Sequence, residues 1–326
     1  MTHSEQTPIG VEFGASSTAD EVLDGIDMGG TTAVVTGGYS GLGLETTRSL
    51  ARAGARVIVP ARRMDAALSA VGALSGVTVI PMDLADLDSV RSAAERVAAE
   101  TERLELLITA AGVMASPERR VGPGWESQFA INHLGHFALI NRLFPLLADA
   151  DDARVVTYSS VGHHLSDIRW DDMYFGTGYD KWLAYGQAKT ANVLTAVHLD
   201  ALGRTSGVRA FSLHPGSIIT GLQRDMTRAE QVERGWIDEN GTVIGAGFKS
   251  AAQGAATGLW AATSPALEGR GGLYCEDCDV APVAAPGSPI EDGGVREYAL
   301  DAHAAERLWR ESARLTGVDA FGTGAR

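Results

Sequence analysis

The chain has 326 residues, with 41 acidic side chains against 27 basic ones and a formal net charge of −14. That length suits one large α/β domain or two small ones, and an acidic balance without any basic block argues against nucleic acid as a partner. The longest apolar runs, such as residues 106–115, fall well short of the roughly 20 residues that span a bilayer.

Residues 1–29 lack a basic start followed by an apolar stretch, so no signal peptide is expected. They carry one short helical candidate, STADEVLDGI, with a capping-box pattern from Thr18 to Glu21. From about residue 32, short β-branched runs alternate with longer helical patterns. AVVTGG leads into GLGLETTRSLARAG, RVIVPA into RMDAALSAVGAL, and VTVIPMDL into LDSVRSAAERVAAE. LELLITAAG is followed by a long helical stretch from Trp125 to about Ala148. ARVVTYSS precedes a helix from about Leu183 to Leu202, and VRAFSLHPG and GGLYCED supply the last strands. Nearly continuous apolar strands alternating with helices predict a doubly wound parallel sheet covered on both faces. Residues 222–248 are polar and long for a connection, which reads as a substrate lid. Residues 281–294 are rich in Pro and Gly, and a helix from about Leu300 to Leu315 follows. The expected organisation is an N-terminal arm (1–29), a dinucleotide-binding and catalytic domain (30–280) and a C-terminal extension (281–326).

The first strand ends in TGGYSGLG, Thr36 to Gly43. Gly37, Gly41 and Gly43 stand between a strand and a helix, where glycine tightens the turn and lets backbone N–H groups approach a phosphate. The spacing is G-x-x-x-G-x-G, not the G-x-G-x-x-G of many dinucleotide folds. At the end of the second strand an acid would bind a ribose 2′-hydroxyl, and an arginine a 2′-phosphate. The chain offers Arg62 and Arg63 there, with no acid before Asp65, which reads as a preference for NADP(H). Arg63 also stands where the next helix begins.

YGQAK occupies residues 185–189. On a helix, Tyr185 and Lys189 share one face, one turn apart. A nearby cation favours the phenolate and lowers the tyrosine pKa from about 10. Such a phenol can exchange a proton with an alcohol or carbonyl oxygen. A coincidental pair on a solvated helix is the competing reading. Against it, only Lys181, Lys189 and Lys249 are lysines among the 27 basic residues. A compact ammonium is not interchangeable with a guanidinium.

With these pieces in order, the chain resembles the short-chain dehydrogenase/reductase family, whose Rossmann core would cover about residues 30–280. TGGYSGLG looks like its nucleotide turn, contributing Gly37, Tyr39, Ser40, Gly41, Leu42 and Gly43. Asp83 and Leu84 look like the pair that contacts adenine. Ala111 and Gly112 follow the fourth strand, and FAINHLGHF supplies Asn132. VVTYSSVG supplies Ser160, with Ser159 as a competitor; the family places the active serine second in the pair. HPGSIITGL looks like the segment bracketing the nicotinamide, through Pro215, Gly216, Ile218 and Thr220. The N-terminal STADEVLDGID and the LYCEDC segment are similar to the branch containing retinol dehydrogenases and WW-domain oxidoreductases. The resemblance implies catalysis by Asn132, Ser160, Tyr185 and Lys189. Tyr185 would pass the proton and Ser160 would hold the substrate oxygen. Lys189 would bind nicotinamide ribose, and Asn132 would hold a water linking Lys189 to solvent. One departure is plain: the family has Asn-Asn-Ala-Gly where this chain has Thr109-Ala110-Ala111-Gly112, so weaker bracing of the central sheet is expected.

The expected activity is NADP(H)-dependent hydride transfer to or from a carbonyl or alcohol. The alternatives are reduction of an activated C=C bond, as in protochlorophyllide reductase, and nucleotide sensing without turnover. Trp170, Tyr174, Phe175, Tyr179 and Trp182 would either line a pocket for a bulky apolar substrate or pack. His133 and His136, and the pair His163 and His164, lack a carboxylate cluster with metal-site spacing, so no metal is expected. His164 near the pocket mouth is a candidate substrate contact. Cys275 and Cys278 follow a strand and have no second pair to complete a zinc site, so they read as structural. Two cysteines in a chain of this size suit a reducing, cytoplasmic compartment. Few lysines with many Ala, Gly and Arg match a high-GC bacterial source. The expected partner is a small-molecule substrate, with no nucleic acid and no membrane span; a homo-oligomer is left open.

Overall fold

The computed structural model describes residues 6–322, so residues 1–5 of the arm and 323–326 of the extension lie outside the described residues. Helix α1 (Ala19–Leu23) opens on the expected capping box: Thr18 accepts from the Glu21 amide and Glu21 reaches back to the Thr18 amide. There follow β1 (Thr32–Thr36), α2 (Gly41–Arg52), β2 (Arg56–Ala61), α3 (Met64–Val71), β3 (Val77–Pro81), α4 (Leu87–Glu100) and β4 (Leu106–Thr109). A two-residue hairpin, β5 (Arg120–Val121) and β6 (Trp125–Glu126), precedes α5 (Ser127–Phe129), a π turn over Ala130–Leu134 and α6 (Gly135–Ala148). The second half contains β7 (Ala153–Tyr158), α7 (Lys181–Gly203), β8 (Val208–His214), α8 (Arg228–Glu233), α9 (Ala251–Thr263), β9 (Leu273–Glu276), β10 (Asp279–Val280) and α10 (Ala302–Thr316).

Eight strands form one sheet in the order β10-β9-β8-β7-β4-β1-β2-β3, parallel throughout except for β10. The chain runs outward from β1 through β2 to β3, then returns to β4 on the other side. Ligands of open α/β sheets bind outside the carboxyl ends of the strands at such a reversal. Successive residues of β1 face opposite sides: Val35 joins the core with Val57, Val59 and Trp260, and Val34 joins the core with Ile58, Leu107 and Phe137. Both faces are covered by helices, so the strands are apolar almost without interruption.

The long helix starts two residues later than the sequence pattern suggests. Gly122 and Gly124, at φ +54° and +109°, turn the chain before it. Trp125 and Glu126 then pair as β6, and the Glu126 carboxylate accepts from the Gln128 and Phe129 amides to start the helix. The π turn carries Asn132; a wide turn of this kind often stands at a functional site.

The flanks are integral to the fold. Gln6 pairs with the Tyr274 main chain and the Ala281 carbonyl at 2.7–3.0 Å, which staples the arm to β9. Helix α10 buries Trp309 against Phe137, and His133 bonds Ser312 of α10 at 2.7 Å. His133 is therefore a packing residue of the helix interface.

Candidate active site

The carboxyl ends of β1, β2 and β4 open into a cleft of about 510 Å³. Its floor is the glycine turn: Gly37, Tyr39, Ser40, Gly41, Leu42 and Gly43 all line it. Gly43 has no room for a side chain, because a Cβ there would lie 2.4 Å from the Gly37 carbonyl oxygen. Ser40 stands at the N-cap of α2 but makes no side-chain cap bond. The first amides of α2 and its positive dipole end thus face the cleft, an arrangement suited to a phosphate. Arg62 and Arg63 line the adenosine end. Both are exposed, and among the described residues neither side chain makes an ion pair or hydrogen bond. Asp83 and Leu84 at the end of β3, and Ala111 and Gly112 at the end of β4, form the opposite wall. Thr220 closes the cleft, 3.4 Å from where a Cβ of Gly41 would be. Arg224 also lines the cleft and reaches the Gly112 carbonyl at 3.3 Å.

Three residues expected at the nicotinamide lie off this lining. Pro215 and Gly216 follow β8, and the Lys249 side chain fills the space beside Gly216. Ile218 turns its side chain toward Gly254 of α9. Of that segment, Thr220, Gly221 and Leu222 line the cleft.

Gly112 connects the cleft to the catalytic candidates. A Cβ at Gly112 would be 3.1 Å from Asn132 Oδ1 and 3.9 Å from Lys189 Nζ. Asn132 bonds the Val113 main chain at both ends of its amide, each at 2.9 Å. Its own carbonyl accepts from His136 Nδ1 at 3.0 Å. Lys189 is 6% exposed and donates to the Tyr158 carbonyl at 2.8 Å. Burial holds its ammonium down at about 8.

Tyr185 and Lys189 do share a face of α7, with Nζ 5.6 Å from the phenol ring centre. The direction of the tyrosine shift is opposite to the one expected. Burial pushes the phenol up to about 12, and the neighbouring Ser160 hydroxyl only partly offsets it. The ammonium is aimed at the Tyr158 carbonyl, so desolvation of the phenolate prevails.

The two serines separate cleanly. Ser159 is buried and donates to the Lys189 carbonyl at 2.8 Å, which occupies its hydroxyl. Ser160 accepts from the Gly162 amide at 3.0 Å, which leaves its proton free to donate. Gly162 is held against the Tyr185 ring, where a Cβ would come within 2.7 Å of Cε1. Serine and phenol are thus packed through one glycine.

Other expectations resolve in packing terms. The missing amides after β4 are replaced by Thr36, which accepts from the Ala111 amide at 3.1 Å and bonds His136 Nε2 at 2.9 Å. His136 Nδ1 faces a carbonyl and must carry the ring proton, so Nε2 accepts from Thr36. The central brace is present with different residues. His164 faces the C-terminal extension, bonding the Gly294 carbonyl at 2.9 Å. Of the five aromatics, Trp182 alone joins the apolar cluster around Tyr185, with Met114, Ala115, Leu222, Met226 and Trp236. Trp170 and Tyr174 pack under α10, and Phe175 packs against Tyr179. Met114, Ala115, Leu222 and Arg224 were not singled out in the sequence as pocket residues. Their signal was position alone, directly after β4 and directly after Thr220. Cys275 and Cys278 are fully buried at the β9–β10 turn, and burial raises both thiols out of the reactive range. Among the described residues no His, Cys, Asp and Glu cluster could hold a metal, and no helix is long and apolar enough to cross a membrane.

A family model described as short chain dehydrogenase matches residues 31–231. A protein named "Probable oxidoreductase" from Streptomyces antibioticus is 42% identical over 293 residues, covering 87% of this chain and 97% of its own. Retinol dehydrogenase 12 of Mus musculus is 35% identical over 299 residues, covering 90% of this chain and 88% of its own. The crystal structure of an uncharacterized protein from Mycobacterium paratuberculosis matches with a TM-score of 0.72 at 32% identity, over 94% of this chain and 99% of that one. The chain belongs to the short-chain dehydrogenase/reductase family of oxidoreductases and resembles its retinol dehydrogenase branch.

Proposed function

We propose that the protein is an NADP(H)-dependent oxidoreductase that transfers a hydride between the nicotinamide and a bulky apolar carbonyl or alcohol. The observation that carries this reading is a single continuous site. A glycine-floored cleft with two unpartnered arginines leads past Gly112 to Lys189, Tyr185 and Ser160. The cofactor supplies the hydride; the chain orients it and handles the proton. The α2 amides and the arginines would hold its phosphates, and Lys189 the nicotinamide ribose. Tyr185, neutral at working pH, would give its proton to the substrate oxygen in reduction, while Ser160 donates a hydrogen bond to the same oxygen. The apolar cluster of Met114, Leu222, Met226, Trp182 and Trp236 around Tyr185 favours a bulky apolar substrate. The test is NADPH consumption against a panel of aldehydes and ketones of rising apolar bulk. Turnover that rises with bulk supports the reading; no turnover with any member refutes it.

The pH dependence has a definite sign. Reduction needs a protonated Tyr185, which lasts to about 12, and a charged Lys189, which lasts to about 8. Reductive kcat should therefore fall as the pH rises through about 8. A profile flat to about pH 10, the ordinary range of tyrosine and lysine, would show that the Lys189 charge is not required.

Residues 222–248 act in this reading as a substrate lid. Met226 and Trp236 turn inward to Tyr185, whereas Val243 is 45% exposed. Asp225 accepts from Ser116 at 2.8 Å, Glu230 pairs with Lys181, and Arg234 lies 3.8 Å over Trp182. These ties are few and partly exposed, so amides in 226–236 should exchange faster without substrate than with it. Equal protection in both states would make the segment a fixed wall.

A further inference from the structure

We infer that His163 is a positioning residue, whose imidazole anchors the main chain of Ser160 and ties it to the C-terminal segment 281–300. The inference rests on the catalytic reading of Ser160. The Ser160 carbonyl accepts twice from residue 163, from its amide at 3.0 Å and from its Nδ1 at 2.7 Å. Because Nδ1 faces a carbonyl, it carries the ring proton and leaves Nε2 as an acceptor. There the Arg296 amide donates at 3.0 Å. A single tautomer satisfies both ends, and burial keeps the ring neutral by pushing its pKa down to about 3.

The extension is built to hold this contact. The Tyr298 hydroxyl donates to the His163 carbonyl at 2.6 Å. His164 bonds the Gly294 carbonyl, and the Gly294 amide donates to Glu276 at 2.8 Å. The Arg296 guanidinium closes its own loop on Ala285 and Ser288. One residue before His163, the Gly162 amide holds the Ser160 hydroxyl, and Gly162 packs on the Tyr185 ring. A shift of the 160–163 turn would therefore move both groups aimed at the substrate oxygen. Displacements of about 1 Å at a reacting group cost about 100-fold in rate.

Two variants each keep one end of the imidazole. In His163→Asn the amide nitrogen lies near Nδ1 and can still donate to Ser160; in His163→Gln the longer amide can reach the Arg296 amide but not the Ser160 carbonyl. His163→Gln should lose roughly tenfold in kcat, the worth of one well-placed hydrogen bond, with KM for NADPH unchanged. His163→Asn should keep most of kcat at a similar loss of Tm. Arg296→Pro, whose φ of −68° suits proline, removes the amide donor that Arg296→Ala keeps. The proline variant should be slower than the alanine variant, and this pair decides the matter if the His163 variants do not fold. Losses of kcat that merely track Tm across all four variants would overturn the inference, as would wild-type kcat in all of them. Ser160→Ala, assayed alongside, separates the two readings. Full turnover there overturns the serine's catalytic role. An inactive Ser160→Ala with wild-type kcat in the His163 variants overturns the positioning role alone.

Discussion

Tyr185→Phe is expected to fold, to bind NADPH with unchanged affinity and to lose roughly 10²–10⁴-fold in turnover, the usual worth of a general acid–base group. The ring is 4% exposed and packs among Met114, Ala115 and Met226, contacts that phenylalanine preserves. Only the hydroxyl is removed, and with it the proton donor beside Ser160. Rates of reduction with a bulky aldehyde, together with NADPH binding by fluorescence, provide the check. A variant retaining more than about a tenth of wild-type turnover would mean that another group, or water, supplies the proton.

The second large effect is expected at the adenosine end of the cleft. Arg62→Asp should lower the ratio of kcat/KM for NADPH over NADH by about 100-fold. One charge-assisted hydrogen bond to the 2′-phosphate is worth roughly 1.5–3 kcal/mol, or one to two powers of ten. The introduced carboxylate also repels the phosphate and can accept from a 2′-hydroxyl. Arg62 is exposed and unpartnered among the described residues, so the substitution disturbs no structural bond. An unchanged ratio would move the phosphate to Arg63 or Arg224, the other cations of the cleft.

The seven strands β1 to β4 and β7 to β9 were legible as short apolar runs bounded by turn residues, and β1 to β4 and β7 also because a helical period follows each. Strands β5, β6 and β10 have two residues apiece, too few for any periodicity. The late start of the long helix was hidden because Trp125 fits a helical face as well as a strand; the glycines before it, not its own type, settle its conformation. The glycine turn and the arginines were readable as a site, since their chemistry follows from residue type and position at strand ends. Pair geometry was readable for Tyr185 and Lys189, but the sign of the tyrosine shift was not. That sign depends on burial and on the Tyr158 carbonyl, neither of which spacing reveals. The choice between Ser159 and Ser160 became physical only once the Ser159 hydroxyl was found bonded to Lys189. Thr36 and His136, separated by 100 residues, form a brace that no local pattern could announce.

Deuterium transfer from 4-deuterated NADPH to a bulky apolar ketone, followed by mass spectrometry of the product, tests the central claim most directly. The label is expected on the carbinol carbon with the wild-type protein, and to be lost with Tyr185→Phe. Label appearing at the β-carbon of an enone instead, or no transfer to any carbonyl tried, would contradict the account.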